Sequence, residues 1–238
     1  MKVDILAIGV HPDDVELSCS GTLLKHIKSG HTVAILDLTR GELGTKGNAD
    51  LRMKEAKAAA DIMGVIYREQ AGLEDGFFQY SQENIKAIIP YIRKFQPEIV
   101  LTNAPKDRHP DHGRAAKLTA DACFYSGLIK IKTQWEGQDQ EAWRPRAVYH
   151  YIQDDHLTPD FVVDITSEID QKIDAIMAYK SQFYNKNDDG PETPISQKNF
   201  IDSVKGKNAV FGRSIRVDFA EGFICDRIPG IDNLMDLV

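Results

Sequence analysis

The chain has 238 residues, a formal net charge of −7 and a sequence pI near 5.5. This length suits a single sizeable domain, and the acidic balance argues against nucleic-acid binding, which normally requires clustered lysine and arginine. No apolar run approaches the ~20 residues that span a bilayer, and the N-terminus lacks signal-peptide features, so we expect no membrane partner.

Predicted strands and helices alternate through the first half of the chain. Apolar runs predict strands over 2–10, 31–39, 65–70 and 98–103. Apolar periodicity predicts helices over 15–29, 50–63 and 81–95, and a fourth that ends near 124. Asp50 is the expected N-cap of the second helix, and Pro90 is expected to kink or break the third. This alternation predicts an α/β fold whose mostly parallel sheet is covered on both faces.

The second half of the chain has a weaker pattern. A polar excursion over 132–146 precedes predicted strands over 147–152 and 161–165. A helix is predicted over 167–183, opened by Ser167 and Asp170 in a capping-box arrangement. A long Gly/Pro/Asn-rich loop over 184–197 follows, and loops of this kind are often lids, binding loops or subunit contacts. Without a repeat or a linker, we expect one domain over 1–238.

The tripeptide His-Pro-Asp occurs twice, at 11–13 in HPDD and at 109–111 in HPDH. One copy alone would be ordinary helix-start chemistry, because proline and acidic residues favour a first turn. Each copy, however, directly follows a predicted parallel strand. The first and fourth strands are neighbours at the switch point of the common doubly wound order, where ligands bind. We therefore expect the two loops to build one site.

The residue types in the two loops complement each other as metal ligands. His11 and Asp14 from one loop and His112 from the other form a set of two imidazoles and one carboxylate. That set leaves one coordination position open on a tetrahedral zinc, and we expect one zinc ion per chain. A zinc ion bound in this way acidifies water and polarises a carbonyl. Fe(II) or Co(II) would accept the same ligands, and such a set also occurs in iron oxygenases.

Three further residues favour hydrolysis at this centre. Asp13 lies beside ligand Asp14 and is placed to take a proton from water. As an imidazolium, His109 would stabilise an oxyanion or protonate a leaving amine, with Asp111 holding it charged and oriented. Dinucleotide, P-loop and serine-nucleophile motifs are absent. A metallophosphoesterase would usually need a second metal and more carboxylates.

These motifs resemble the LmbE-like and PIG-L-like zinc deacetylases, which remove N-acetyl groups from glucosamine-containing substrates. The resemblance covers most of the chain and includes TRGELGT at 39–45, PDFVVDIT at 159–166, YKSQF at 179–183 and AEGF at 220–223. RGELGT, DRHPDH and AEGF together are most similar to the bacillithiol-pathway branch, which deacetylates N-acetylglucosaminyl malate. The resemblance implies a Rossmann-like three-layer α/β/α fold and a homo-oligomer, often a hexamer.

The resemblance implies the same roles for the ligand set and the catalytic residues, and it implies that Arg52 faces the substrate. Without it, Arg52 reads as a solvated helix residue. An anionic malate group would favour guanidinium partners, for which Arg40, Arg52 and Arg108 are the candidates. Arg40 lies in the loop after the second strand, where a solvated turn is an equal alternative.

We therefore expect a zinc-dependent hydrolase that removes the N-acetyl group of a small sugar conjugate, N-acetylglucosaminyl malate. Two alternatives stay open: a deacetylase of another N-acetylglucosamine conjugate or chito-oligosaccharide, and a non-catalytic, zinc-stabilised carbohydrate-binding protein. Asp13 discriminates, because binding alone needs no spare carboxylate beside the ligands. The cysteines at 19, 123 and 225 form no CxxC pair, which indicates reduced thiols and a cytoplasmic location.

Overall fold

The computed structural model describes residues 1–186 and 190–237, which form a central sheet flanked by helices on both faces. The described strands are β1 (Ile5–Gly9), β2 (Val33–Asp37), β3 (Tyr67–Gln70), β4 (Ile99–Thr102), β5 (Gln134–Trp135), β6 (Gln138–Asp139), β7 (Ala147–Tyr151), β8 (Phe161–Asp164) and β9 (Ala220–Cys225). The described helices are α1 (Asp14–Lys28), α2 (Ala49–Met63), α3 (Gln82–Phe95), α4 (Pro110–Ser126), α5 (Ile169–Met177) and α6 (Phe200–Ile215).

Within the described ranges, the central sheet has seven strands in the order β3-β2-β1-β4-β7-β9-β8. β1 pairs in parallel with β2 and β4, and the parallel ladder continues to β3 on one side and β7 on the other. β9 is antiparallel to both of its neighbours. The predicted α/β fold with a mostly parallel sheet is confirmed. Because β1 and β4 are adjacent, the two HPD loops leave the same edge of the sheet.

Both faces of β1 are buried, which explains its continuous apolar run. Successive side chains of a strand point to opposite faces. Leu6 accordingly packs with Ile88 of α3 and Leu118 of α4, whereas Ala7 packs with Leu23 of α1 on the other face. Helices α2 and α5 complete the layer that contains α1. These two cores hold the carboxyl end of β1 in a fixed position.

The predicted N-cap of α2 was wrong, and the break that was one of two expected outcomes at Pro90 of α3 does not occur. Asn48, not Asp50, caps α2, because its side chain accepts a hydrogen bond from the Leu51 backbone N at 2.9 Å. Asp50 lies inside the first turn. Pro90 does not break α3, which runs continuously from Gln82 to Phe95. The hydrogen bond that proline cannot donate is outweighed there by a buried apolar face.

The predicted helix over 167–183 is also shorter than expected, since α5 ends at Met177 and begins without a side-chain cap. The segment after α5 is held by another helix. Ser181 donates to Glu55 of α2 through both its backbone N and its Oγ, each at 2.7 Å. An extended α5 would have directed that N–H to Met177, so this tertiary contact holds the segment after α5 in a non-helical course.

Helix α6 was not predicted from the sequence, because Gly206 and Gly212 lower its helix propensity. Gly212 is required by packing: a Cβ there would lie 2.7 Å from the Val217 backbone O and 2.9 Å from the Phe219 N. The predicted loop over 184–197 includes residues 187–189, which lie outside the described ranges. Of the helices described, none combines the length and apolar character needed to cross a bilayer.

Candidate active site

A pocket of about 530 Å³ opens where the parallel strands end. The HPDD segment after β1 and the HPDH segment at the start of α4 both line it. Loops that follow β2, β3 and β7 supply further lining, and α6 adds another wall. The pocket therefore lies where the order of a doubly wound sheet predicts a ligand site.

His11, Asp14 and His112 are brought together in this pocket. Their ligand atoms all lie within 4.8 Å of one another, so the three residues could hold a metal ion. Nδ1 of His11 lies 3.7 Å from Oδ2 of Asp14, and Nε2 of His112 lies 3.2 Å from Oδ1 of Asp14. The predicted ligand set is thus assembled from two loops that are separated by almost a hundred residues in the chain.

Each ligand histidine is backed by a carboxylate on its other ring nitrogen. Nε2 of His11 lies 3.0 Å from Oδ1 of Asp75, and Nδ1 of His112 lies 2.5 Å from Oδ2 of Asp107. Such pairs fix the tautomer and orientation of a metal-binding imidazole. A second group, His11 with His109 and Asp111, is also compact enough for a metal. The contact with Asp75 favours the set of His11, Asp14 and His112. Asp75 engages Nε2 of His11, which is the same nitrogen that faces Asp111.

The electrostatics of the ligand set favour a bound cation. Burial would raise the pKa of Asp14, but the charges of His112 and His11 and several hydrogen bonds hold it well below its usual range. Burial would lower the pKa of His11 and His112, yet the adjacent carboxylates raise these values to about 10 and about 9. Because the surroundings stabilise positive charge at this point, a divalent cation fits the donor set.

Asp13 lies beside the ligand set in a strained backbone conformation. Its φ of 126° is one that residues with a side chain rarely adopt, and such strain concentrates at functional sites. Its carbonyl accepts from the Leu17 backbone N at 2.9 Å, and its Oδ2 accepts from Nη2 of Arg52 at 2.8 Å. Burial, partly offset by Arg52, raises the pKa of Asp13 to about 6. That value suits a general base near neutral pH.

Arg52 lines the pocket, but its contacts are with the HPDD segment. Its Nη2 also donates to the Pro12 backbone O at 2.6 Å, and its Nη1 to the Gly41 O at 3.4 Å. Gly41 has a φ of 63°, and a Cβ at this position would overlap the guanidinium. The buried Nε of Arg52 has no hydrogen-bond partner among the described residues. Arg52 thus holds Asp13 in place, while its Nε–H donates to none of the described residues.

His109 is the N-cap of α4 and lies against both ligand histidines, with ring centroids 4.8 Å from His11 and 5.1 Å from His112. Its Nδ1 accepts from the Asp111 backbone N at 3.3 Å, which leaves Nε2 as the donor. Burial and the two neighbouring histidines lower its pKa. These observations indicate a neutral imidazole.

The carboxylate of Asp111 has other partners than the side chain of His109. It accepts from the Gly76 backbone N at 3.0 Å and from Nη1 of Arg114 at 3.1 Å, and it lies 3.6 Å from Nε2 of His11. The expectation that Asp111 holds His109 as an imidazolium is not supported by these contacts. Asp111 instead belongs to the group of carboxylates around His11.

The two remaining arginine candidates differ in position. Arg108 lines the rim of the pocket, with its Nε 2.5 Å from Oδ2 of Asp154. Arg40 is exposed, pairs with Asp50 and is absent from the pocket lining. The turn after β2 directs Arg40 toward the start of α2, so this structure does not place it at the site.

Four residues that support the ligand set were missed from the sequence, although each lies in a loop at the carboxyl end of a parallel strand. Asp75 follows β3, Asn103 and Asp107 follow β4, and Gln153 follows β7. Nδ2 of Asn103 donates to Asp14 at 3.0 Å, and Nε2 of Gln153 donates to it at 3.2 Å. Their position after the strands was the available signal.

Comparisons with known proteins find similar chains, several of which are named as deacetylases. The profile of the PIG-L family, GlcNAc-PI de-N-acetylase, matches residues 6–123. The diacetylchitobiose deacetylase of Thermococcus kodakarensis is 31% identical over 191 residues, 75% of this chain and 70% of that protein. The "Probable N-acetyl-alpha-D-glucosaminyl L-malate deacetylase 2" of Bacillus anthracis is 26% identical over 76% of this chain and 82% of that protein. The conserved protein TT1542 of Thermus thermophilus superposes with a TM-score of 0.85 at 32% identity, covering 97% of this chain and 98% of that one.

Proposed function

Because the chain belongs to the PIG-L family of de-N-acetylases and is an amide-hydrolysing enzyme, we propose that it uses zinc to remove the N-acetyl group of N-acetylglucosaminyl malate. One observation carries the proposal: His11, Asp14 and His112 converge in a pocket that also contains the buried carboxylate of Asp13, a residue whose backbone is strained. A protein that only bound sugar would need no such carboxylate.

Zinc fits the donor set by chemistry. Two imidazoles and one carboxylate leave a position open, and the carboxylates of Asp75 and Asp107 support the two imidazoles. A bound zinc would supply Lewis acidity, acidifying water and polarising the acetyl carbonyl. The same residues would accept Fe(II) or Co(II), so the choice of zinc is part of the proposal.

Three protein side chains have the remaining roles in the reaction. Asp13 takes the proton from the attacking water and returns it to the leaving amine of the sugar. Arg52 fixes the carboxylate of Asp13 at 2.8 Å. The Nε2–H of neutral His109 donates to the carbonyl oxygen as negative charge develops on it, the type of interaction that stabilises an oxyanion.

The malate group is the finer part of the proposal and rests on the RGELGT, DRHPDH and AEGF motifs together with the Bacillus anthracis relative. A pocket of about 530 Å³ lies in the range that holds a ligand of this size. Diacetylchitobiose is the second candidate substrate, because the Thermococcus relative that carries this name has the higher identity of 31%. A cytoplasmic homo-oligomer, with each chain folded as one domain over 1–238, belongs to the same proposal.

The test is acetate release by purified protein with quantified metal. N-acetylglucosaminyl malate, N,N'-diacetylchitobiose and free N-acetylglucosamine are compared, each with and without a chelator. We expect fast, chelator-sensitive release from the malate conjugate. Release from diacetylchitobiose alone would replace the proposed substrate but keep the chemistry. Release from none of the three, with one zinc bound per chain, would contradict the proposed function.

A further inference from the structure

Three long basic side chains line the pocket within the described ranges: Arg52, Arg108 and Lys207. Arg52 is paired with Asp13, and Arg108 is paired with Asp154. Lys207 differs from both.

In the part of the chain that the structure describes, the ammonium of Lys207 has no carboxylate within ion-pair distance. Its one described hydrogen bond goes to the Gln153 backbone O. Since an ammonium has three N–H groups, two of them have no partner among the described residues. The pocket therefore contains a cation whose charge is not matched by a protein carboxylate.

A single residue, Gln153, connects Lys207 to the ligand set. Lys207 donates to the backbone of Gln153, and the side chain of Gln153 donates to Oδ1 of Asp14 at 3.2 Å. Ser203 and Val204, one helical turn before Lys207, line the same pocket. A ligand whose acetamido group lies at the ligand set would extend past Gln153 along α6.

The surroundings of Lys207 leave its charge poorly stabilised. Burial lowers its pKa to about 8, and the charge of Lys172 on α5 acts in the same direction. Asp154, Glu221 on β9 and Asp107 oppose this shift without outweighing it. A ligand carboxylate placed at Lys207 would stabilise the ammonium, as a charge-assisted hydrogen bond does.

We propose that Lys207 is a specificity-determining residue that binds a carboxylate on the part of the substrate attached to the acetamido sugar. This inference rests on the proposed function, since it assigns the recognition of the acidic group to α6. Arg108 is the weaker candidate for this role, because Asp154 already neutralises it at the exposed rim.

A purely structural role is the alternative, in which Lys207 only ties α6 to the loop after β7. The two roles differ in which substrates they affect. A structural role would lower turnover of acidic and neutral substrates alike, because the position of Gln153 would change. A carboxylate-binding role would affect only the acidic substrate.

The experiment compares kcat/KM for N-acetylglucosaminyl malate and for neutral N,N'-diacetylchitobiose in zinc-loaded wild type, Lys207→Met, Lys207→Arg and Lys205→Met. Lys205 is the matched control, because it is on the same helix but not in the pocket lining. We expect Lys207→Met to lower the malate-to-chitobiose ratio roughly tenfold or more, chiefly through KM. Lys207→Arg should keep most of the ratio and Lys205→Met all of it. An unchanged ratio in Lys207→Met would overturn the inference.

Two further measurements keep the inference testable if Lys207→Met folds poorly or if the proposed function fails. In wild type the same ratio should fall as pH rises through about 8, whereas in Lys207→Arg it should stay flat because arginine remains charged. A parallel decline in both proteins would contradict a role for Lys207.

Independently of turnover, calorimetric titration with malate alone should show binding to wild type and to Lys207→Arg but not to Lys207→Met. Equal binding, or none to any protein, would also overturn it.

Discussion

Oδ2 of Asp107 lies 2.5 Å from Nδ1 of His112, whose other ring nitrogen faces Asp14 at 3.2 Å. Asp107 also accepts from the backbone N atoms of Asp154 and Asp155, at 3.0 and 2.7 Å. One carboxylate therefore orients a candidate metal ligand and fixes the loop after β7 to the loop after β4.

Replacing Asp107 by Asn should weaken zinc binding about 10- to 100-fold, the usual cost of losing a carboxylate behind a metal-binding imidazole. Competition with a chromophoric chelator measures this affinity. Asp154→Asn is the matched control, because Asp154 lies in the adjacent loop and contacts Arg108 rather than a ligand histidine. Wild-type zinc affinity in Asp107→Asn would show that His112 needs no such support.

Replacing Arg52 by Met should lower kcat at least tenfold at full zinc occupancy, because Asp13 loses the partner that fixes it at 2.8 Å. The free energy of unfolding should fall as well, since a buried carboxylate is left unpaired. Arg40→Met provides the contrast, with activity within about twofold of wild type, because an exposed ion pair contributes little. Steady-state kinetics and denaturant titration of both variants check the prediction. Equal losses in the two variants would mean that Arg52 has no special role.

Much of the site could be predicted because the candidate ligands and catalytic residues lie in two short loops. HPDD and HPDH each follow an apolar run, and parallel strands bring their carboxyl ends to one edge. The supporting residues were harder to predict. A lone acid such as Asp75 looks like any loop residue until β3 is placed beside β2 and its carboxylate meets His11.

The errors of the sequence analysis arose where tertiary contacts override local preference. α5 ends before its apolar pattern does, and Glu55 accepts the backbone N–H of Ser181 that a longer helix would have used. α6 forms despite two glycines because it packs closely against the segment that leads into β9. Arg40 and Arg52 were both candidates for binding an anionic group, and only the structure shows that one pairs with Asp50 and the other with Asp13.

Replacing His109 by Ala should lower kcat about 10²- to 10³-fold, the usual effect of removing a hydrogen-bond donor to a developing oxyanion. KM should change much less. His109→Gln keeps a neutral donor and should recover part of the loss, which it could not do if an imidazolium were required. Steady-state kinetics at matched zinc content measure both variants. If Gln were no better than Ala, donation by a neutral side chain at this position would be refuted.

Lys172 and Glu221 form an ion pair at 2.7 Å in which both side chains are fully buried. Lys172→Met should lower the free energy of unfolding by about 3–5 kcal/mol, because Glu221 is left as an unpaired buried charge. Adding Glu221→Gln should restore part of this loss. The exposed pair of Lys57 and Asp61 is the control, and Lys57→Met should cost no more than about 0.5 kcal/mol. Denaturant titration compares the variants, and equal effects of the two lysine substitutions would contradict the argument from burial.

Acetate release by Asp13→Asn, at the same zinc content as wild type, is the sharpest test of Asp13 as the general base of a zinc-dependent deacetylation. Asparagine is nearly the same size but cannot take a proton, and Asp13 is not in the predicted ligand set. We expect one zinc per chain in both proteins and a loss of about 10²- to 10⁴-fold in kcat for the variant on its best substrate. Wild-type turnover by zinc-loaded Asp13→Asn would contradict the assignment of Asp13 as the general base.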